Sequence, residues 1–79
     1  MNNFRMYIDI DPQIRFGKPC IKGTRITVGD ILQWLSCGMS DQEIIVDYPE
    51  LHINHIRAAL AFAAERDAIT RVVVHETVA

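Results

Sequence analysis

Apolar and polar residues alternate at the start of the chain, with Phe4, Met6, Ile8 and Ile10 set against Arg5, Tyr7, Asp9 and Asp11. A period of two predicts a half-buried strand. Asp11-Pro12 ends it, because proline lacks an N–H and favours turns, and Gly17-Lys18-Pro19 is a second break. Residues 20–26 read as a short extended return, which makes a hairpin with a long loop. The period then lengthens. Residues 27–36 predict a first helix, capped by Thr27 with Asp30 three positions on, and with Ile26 and Ile31 at the staple positions around the cap. Its apolar stripe is Ile31, Leu32, Trp34 and Leu35, and Gly38 stands where a left-handed stop is expected. Ser40 and Glu43 form a capping-box pair for a second helix, with Met39 and Ile44 at the staple positions. Tyr48-Pro49 ends it, since the residue before proline avoids helical geometry.

A third helix is expected from His52 or Asn54 to about Arg66. Ile53, Ile56, Leu60 and Ala63 fall on one face at helical spacing, flanked by Ala59 and Phe62. Asn54, His55, Arg57, Ala58, Ala61 and Glu65 fall on the other. The tail from Ile69 to Val78 holds the β-branched cluster Val72, Val73 and Val74, and reads equally as a strand, an extended arm or more helix. No repeat and no low-complexity segment interrupts the chain.

Length and composition narrow the picture. Seventy-nine residues, 49% of them apolar and 23% charged, describe one folded domain over 1–79. It divides into a hairpin arm (1–26), a helical part (27–66) and a tail (67–79). No run approaches the ~20 apolar residues of a membrane helix. Met1-Asn2-Asn3-Phe4-Arg5 carries no leader-like apolar stretch, so a cytoplasmic location without membrane attachment is expected. Two cysteines are too few for a disulfide scaffold, and Cys20 and Cys37 are expected as small buried or half-buried residues. A core this limited favours self-association, and an edge strand at residues 4–10 is a ready dimerisation element.

Charge is uneven. Residues 1–25 carry five Lys and Arg against two Asp; residues 26–50 carry five acidic residues and no Lys or Arg; residues 51–79 carry three of each sign. The acidic total argues against a general polyanion binder, while the basic first third allows a local phosphate- or acid-binding patch. Lys18 and Arg25 suit phosphate, and Arg25 equally has Asp30 and Asp47 as carboxylate partners within reach of the chain.

A short helix, a tight stretch and a longer helix form the outline of a helix-turn-helix, with Asn54, His55 and Arg57 on the exposed side of the reader helix. A small helical bundle without any DNA role fits the same pattern. His52, His55, Cys20 and Cys37 lack the close-pair spacing of a zinc site, so no metal is expected. No nucleophile and base stand at a suggestive spacing, and Pro19 spoils the one Gly-Lys loop as a phosphate cradle. An enzyme is therefore not expected, nor a cofactor.

From Gly17 through Lys18, Pro19, Ile21, Gly23, Thr24, Arg25 and Ile26 to Val28 the chain resembles the domain of unknown function 433 family, whose members share Gly-Lys-Pro-x-Ile-x-Gly-Thr-Arg-Ile-x-Val. The similarity continues through Gly38-Met39-Ser40, Glu43-Ile44, Asp47-Tyr48-Pro49, Leu51, Ile56 and Ala58-Ala59-Leu60, and so spans about residues 6–66. The resemblance implies an α+β, mainly α domain: an N-terminal β-hairpin followed by a three-helix, homeodomain-like helix-turn-helix. It further implies a VapB-type antitoxin encoded beside a PIN-like ribonuclease toxin; the expectation that follows is a homodimer that neutralises the toxin by direct contact and binds its own operator DNA. DNA contacts are then expected from Asn54, His55 and Arg57, supported by Arg25 and Lys22. The toxin would be held by the tail, chiefly Ile69, Val72, Val73 and Val74. The chain departs from the family where His52, Asn54 and His55 replace a threonine and acidic residues at the start of the third helix, which weakens the expected cap, and in its valine-rich tail. A protein-interaction module or dimeric adaptor that never touches DNA is the alternative.

Overall fold

The computed structural model describes the backbone of residues 4–78 and the side chains of residues 4–67. A two-stranded antiparallel hairpin packs beside three helices, an α+β arrangement that is mainly helical. Strand β1 (Ile8–Asp9) pairs with β2 (Cys20–Ile21) in the register Ile8 to Ile21 and Asp9 to Cys20. Helices α1 (Val28–Ser36), α2 (Asp41–Asp47) and α3 (Ile53–Val78) follow.

The hairpin is far shorter than the alternation over residues 4–10 predicts. Phe4–Met6 forms a 3-10 turn instead, closed by the Tyr7 N–H donating to the Phe4 carbonyl at 2.9 Å. Of the four alternating apolar residues only Ile8 is buried; Met6 and Ile10 are 61% and 56% exposed. The reason is the partner strand. β2 folds back on itself right after Lys22, the Ile21 N–H donating to the Ile26 carbonyl at 2.8 Å, and at its other end stands Pro19 without an N–H, so it offers β1 no longer ladder. That fold-back turns at Lys22-Gly23, where the Thr24 N–H and hydroxyl both donate to the Ile21 carbonyl at 2.9 Å. Gly23 has φ +82, the positive value a type II turn needs at its third position.

The helix ends follow the short-range signals. Thr27 caps α1 with its hydroxyl accepting the Asp30 N–H at 2.8 Å, and the Asp30 carboxylate accepts the Thr27 N–H at 3.1 Å. The Pro19 carbonyl takes the Val28 N–H at 2.9 Å, so the hairpin itself satisfies the first amide of α1. Gly38 at φ +96 ends the helix, with Gly38 N–H to Leu35 and Met39 N–H to Trp34 both at 3.1 Å, the two bonds of a Schellman motif. Ser40 and Glu43 exchange the same reciprocal bonds at the start of α2.

One core joins these pieces. Ile8 and Ile21 from the hairpin, Val28 and Ile31 from α1, Ile44 from α2, Leu51, and Ile56, Ala58 and Ala59 from α3 are buried together. Each large aliphatic among them stabilises the fold by roughly 1.5–3 kcal/mol. Trp34 stacks on Tyr48 at 4.2 Å and tilts only 10° from it, tying α1 to the residue that closes α2. Phe4 meets Phe62 edge to face at 5.6 Å, tying the N-terminal turn to α3.

The buried side of α3 is rotated from the expected one. Ala58, assigned to the polar face, is fully buried, whereas Leu60, assigned to the core, is 46% exposed. Small residues let α3 lie close to its neighbours, and that approach outweighs the pull of one large side chain. The tail is neither strand nor arm: α3 continues to Val78. Cys20 is buried, but Cys37, expected under cover, is exposed just past the end of α1. No helix among the described residues is long and apolar enough to cross a membrane.

Candidate nucleic-acid interface

Helix α3 begins at Ile53, and His52 is its capping residue, its carbonyl accepting the His55 N–H at 2.9 Å and the Ile56 N–H at 3.4 Å. The His52 N–H donates to Nδ1 of His55 at 3.1 Å. That bond is the return half of a capping box, with an imidazole doing what Glu43 does for α2. The two imidazoles lie 3.9 Å apart, and the Tyr7 ring stands edge-on to His55 at 5.6 Å and to His52 at 6.3 Å. Burial and the neighbouring His52 push the His55 pKa below its ordinary value. The neutral ring that results is the form able to accept from His52. The start of α3, expected to be weakly capped, therefore keeps a side-chain bond to its capping amide.

Tyr7 links this corner to the hairpin, its carbonyl accepting the Lys22 N–H at 2.8 Å. Arg25 lines a cleft of about 520 Å³ between the hairpin turn, α1 and the end of α2, together with Asp30, Trp34, Tyr48 and Glu50. The fold thus sets Lys22 and Arg25, both exposed, on the turn beside the segment that leads into α3. The first turn of α3 holds no acidic residue, so its end of the helix dipole stays positive.

Not every expected residue stands free. Arg57 is exposed, while Asn54 and His55 are half-buried and His55 is engaged by its cap bond and by two rings. Arg25 pairs with neither Asp30 nor Asp47. Arg15 takes Asp30 instead, at 3.2 Å, and the same guanidinium donates to the Arg25 carbonyl at 2.9 Å. For Asp30, burial raises the pKa, but the hydrogen bonds from Thr27 and the charge of Arg15 outweigh it and hold the carboxyl below its ordinary value. The chain reaches this pairing through left-handed backbone at Arg15 (φ 50), Phe16 (φ 60) and Gly17 (φ 80). Residue spacing gives no hint of such a turn at two non-glycine positions. Among the described residues no three His, Cys, Asp or Glu side chains gather as a metal-holding group. The side chains of Ile69, Val72, Val73 and Val74, expected to meet a toxin, lie outside the described residues.

Residues 8–63 match the family described as Protein of unknown function (DUF433). The chain belongs to the DUF433 family. It is similar to a DUF433 member protein from Anabaena variabilis, known from its crystal structure, at 27% identity and a TM-score of 0.74 over 92% of this chain and 76% of that one. No curated protein matches it. In this DUF433 chain the long Gly-Lys-Pro to Val28 motif is largely structural. Pro19 gives its carbonyl to α1, Ile21 lies in the core, Gly23 makes the turn, and Thr24 bridges it by accepting the Ile26 N–H at 3.0 Å. What the motif leaves on the surface is Lys18, Lys22 and Arg25.

Proposed function

We propose that this DUF433 chain is the antitoxin half of a toxin–antitoxin pair, with α2, the turn at residues 48–52 and α3 serving as a homeodomain-like helix-turn-helix on operator DNA. The observation that carries the DNA part is the exposed Arg57 near the start of α3, whose first turn holds no acidic residue; the hairpin that carries the exposed Lys22 and Arg25 reaches this helix start through Tyr7. Arg57 and Asn54 are the base- or phosphate-directed residues, Lys22 and Arg25 contact the backbone, and His55 positions the helix start through its cap. A homodimer presents two such helices about 34 Å apart, one DNA turn. The toxin part rests on the family resemblance. The resemblance points to a PIN-like nuclease as partner but does not define the tail; Ile69, Val72, Val73 and Val74 are our candidates for its contact because antitoxins often bind through a C-terminal segment.

A salt series of gel shifts with the full chain on the DNA upstream of its reading frame tests the first part. Specific retardation that weakens as salt rises supports it. Arg57→Ala is expected to lower affinity about tenfold and to flatten the salt slope by ~1. Absence of retardation at low salt overturns the DNA assignment. Co-purification with the neighbouring gene product, and a nuclease assay with and without this chain, test the second part.

The second reading, an interaction module that leaves DNA alone, is favoured by the acidic run on and after α2. Asp41, Gln42, Glu43, Val46, Asp47 and Glu50 include no cation, and Val46 is exposed among them. Toxin capture without retardation of DNA selects this reading.

A further inference from the structure

Phe16 is 97% exposed, so its ring packs against almost nothing in its own chain. It is also held in left-handed backbone at φ 60, between Arg15 at φ 50 and Gly17 at φ 80. Such backbone is strained for any residue but glycine, and the fold gains no packing in return. The turn is nevertheless firmly tied. The Gly17 N–H donates to the Ile14 carbonyl at 3.1 Å and the Lys18 N–H to the Arg15 carbonyl at 3.2 Å. The Arg15 guanidinium bonds the Asp30 carboxylate at 3.2 Å and the Arg25 carbonyl at 2.9 Å, which joins this turn to the one that carries Arg25. The surrounding charge has one sign. Residues 12–29 hold Arg15, Lys18, Lys22 and Arg25 and no acid, and the last three of these cations are exposed. Asp30, at the end of that stretch, is matched by Arg15.

We propose that the turn at residues 15–18 is a stacking platform for an unpaired base of single-stranded nucleic acid, with Phe16 against the base and Lys18, Lys22 and Arg25 on the flanking phosphates. An isolated aromatic ring in a field of cations matches a polyanion that carries flat π faces. A lipid surface asks for a broader apolar face, and a protein socket for apolar contacts that exclude water around the anchor. Here the chain neighbours Arg15, Gly17 and Lys18 supply neither. Magnitude selects a single strand over a duplex. Stacking one base on an aromatic ring is worth about a five- to 150-fold gain in affinity. Parting a step of stacked duplex costs about as much, so one ring gains little there. The site shares Lys22 and Arg25 with the operator reading, but not Phe16 or Lys18, and it needs neither α3 nor a duplex.

Fluorescence anisotropy of a labelled oligothymidine of about 12 nucleotides, titrated with the full chain, tests it. Binding is expected to weaken with salt at a log–log slope of about −2, the value for three phosphates on a single strand. Phe16→Gly is expected to lower affinity by about fivefold or more. The same change relieves the strained backbone, so a variant that is more stable in urea yet binds less tightly has not lost its fold. Phe16→Trp is expected to bind at least as tightly as the parent, and Phe16→Leu, apolar but without a π face, as weakly as Phe16→Gly. Gel shifts on the upstream duplex are expected to be the same for Phe16→Gly and the parent. A chain that leaves the duplex alone but takes the oligonucleotide thus overturns the operator reading and keeps this one; the reverse result overturns this one alone. Absence of binding to the oligonucleotide at low salt overturns the proposal, including the case in which Phe16 instead drives binding to vesicles of phosphatidylserine and phosphatidylcholine. So does binding that withstands Phe16→Gly, or that Phe16→Leu retains in full.

Discussion

The segment from Thr27 to Leu51 and the segment from Phe4 to Ile26 contrast in how their sequences relate to their structures. In the first, each helix start carries its own instructions within four residues. Thr27 with Asp30 and Ser40 with Glu43 close reciprocal bonds, and Gly38 at φ +96 stops α1. In the second, an equally regular pattern yields two residues of strand. A cap needs only its own neighbours, whereas a strand needs another strand at the right distance, and β2 is occupied with its own fold-back. Local chemistry is therefore a safe guide to helix ends, while alternation is a demand for a partner that the same chain does not always supply.

Core substitutions should separate the two segments most. Ile31→Ala and Ile44→Ala remove fully buried side chains and are expected to lower stability by about 2–5 kcal/mol in urea unfolding. Met6→Ser and Ile10→Ser, at largely exposed positions, are expected to stay within about 0.5 kcal/mol of the parent. Equal losses from the two sets would mean that the alternation is satisfied inside one chain.

Backbone geometry comes next. Gly23→Ala meets no atom within 4 Å but must adopt φ +82, and a loss of about 1–2 kcal/mol is expected from conformation alone. Phe16 provides the converse case. It is 97% exposed and held at φ 60, so Phe16→Gly is expected to raise stability, by up to about 1 kcal/mol, in the same unfolding measurement. Thr27→Ala is expected to cost about 1 kcal/mol through loss of the α1 cap.

The smallest expected effect is that of pH at the α3 cap. The His55 pKa is lowered on folding, so the neutral ring contributes stability that is fully present above its ordinary value of about 6.5. That contribution is lost as pH falls through the lower folded value. Stability measured between pH 7 and 5 should fall for the parent and fall less for His55→Gln. Asp30 acts in the same direction in a more acid window: its lowered pKa contributes stability present above the ordinary carboxylate range and lost below it. A flat profile from pH 7 to 5 would show that the imidazole does not cap the helix.

What could be read in advance follows the same division. The three helices, their order and the buried Ile31, Ile44 and Ile56 follow from spacing and caps. The orientation of α3 does not, because a face assigned by its bulkiest residues puts Leu60 inward. The actual packing uses Ala58 and Ala59, whose value lies in how little room they take. At the candidate site, Arg57, Lys22 and Arg25 are exposed as their types suggest. His55 was visible as a polar residue at the helix start, but its role as a cap depends on the ring accepting a hydrogen bond, which the familiar Ser/Thr-to-Glu spacing does not advertise. The Arg15–Asp30 pair lay outside reach altogether, since it depends on a left-handed turn whose residues do not favour one.

Helix α3 has no glycine or proline from Ile53 to Val78, and at 1.5 Å per residue it is a rod of about 39 Å. It is clamped near its beginning by the core and extends well past Phe62. A stiff rod held at one end behaves as a lever: a tilt of about 10° at Arg66 displaces the last residue by roughly 3 Å. A load on the distal half would act through that arm first on the contacts of Phe62, Ala59, Ala58 and Ile56 that hold the helix to the core.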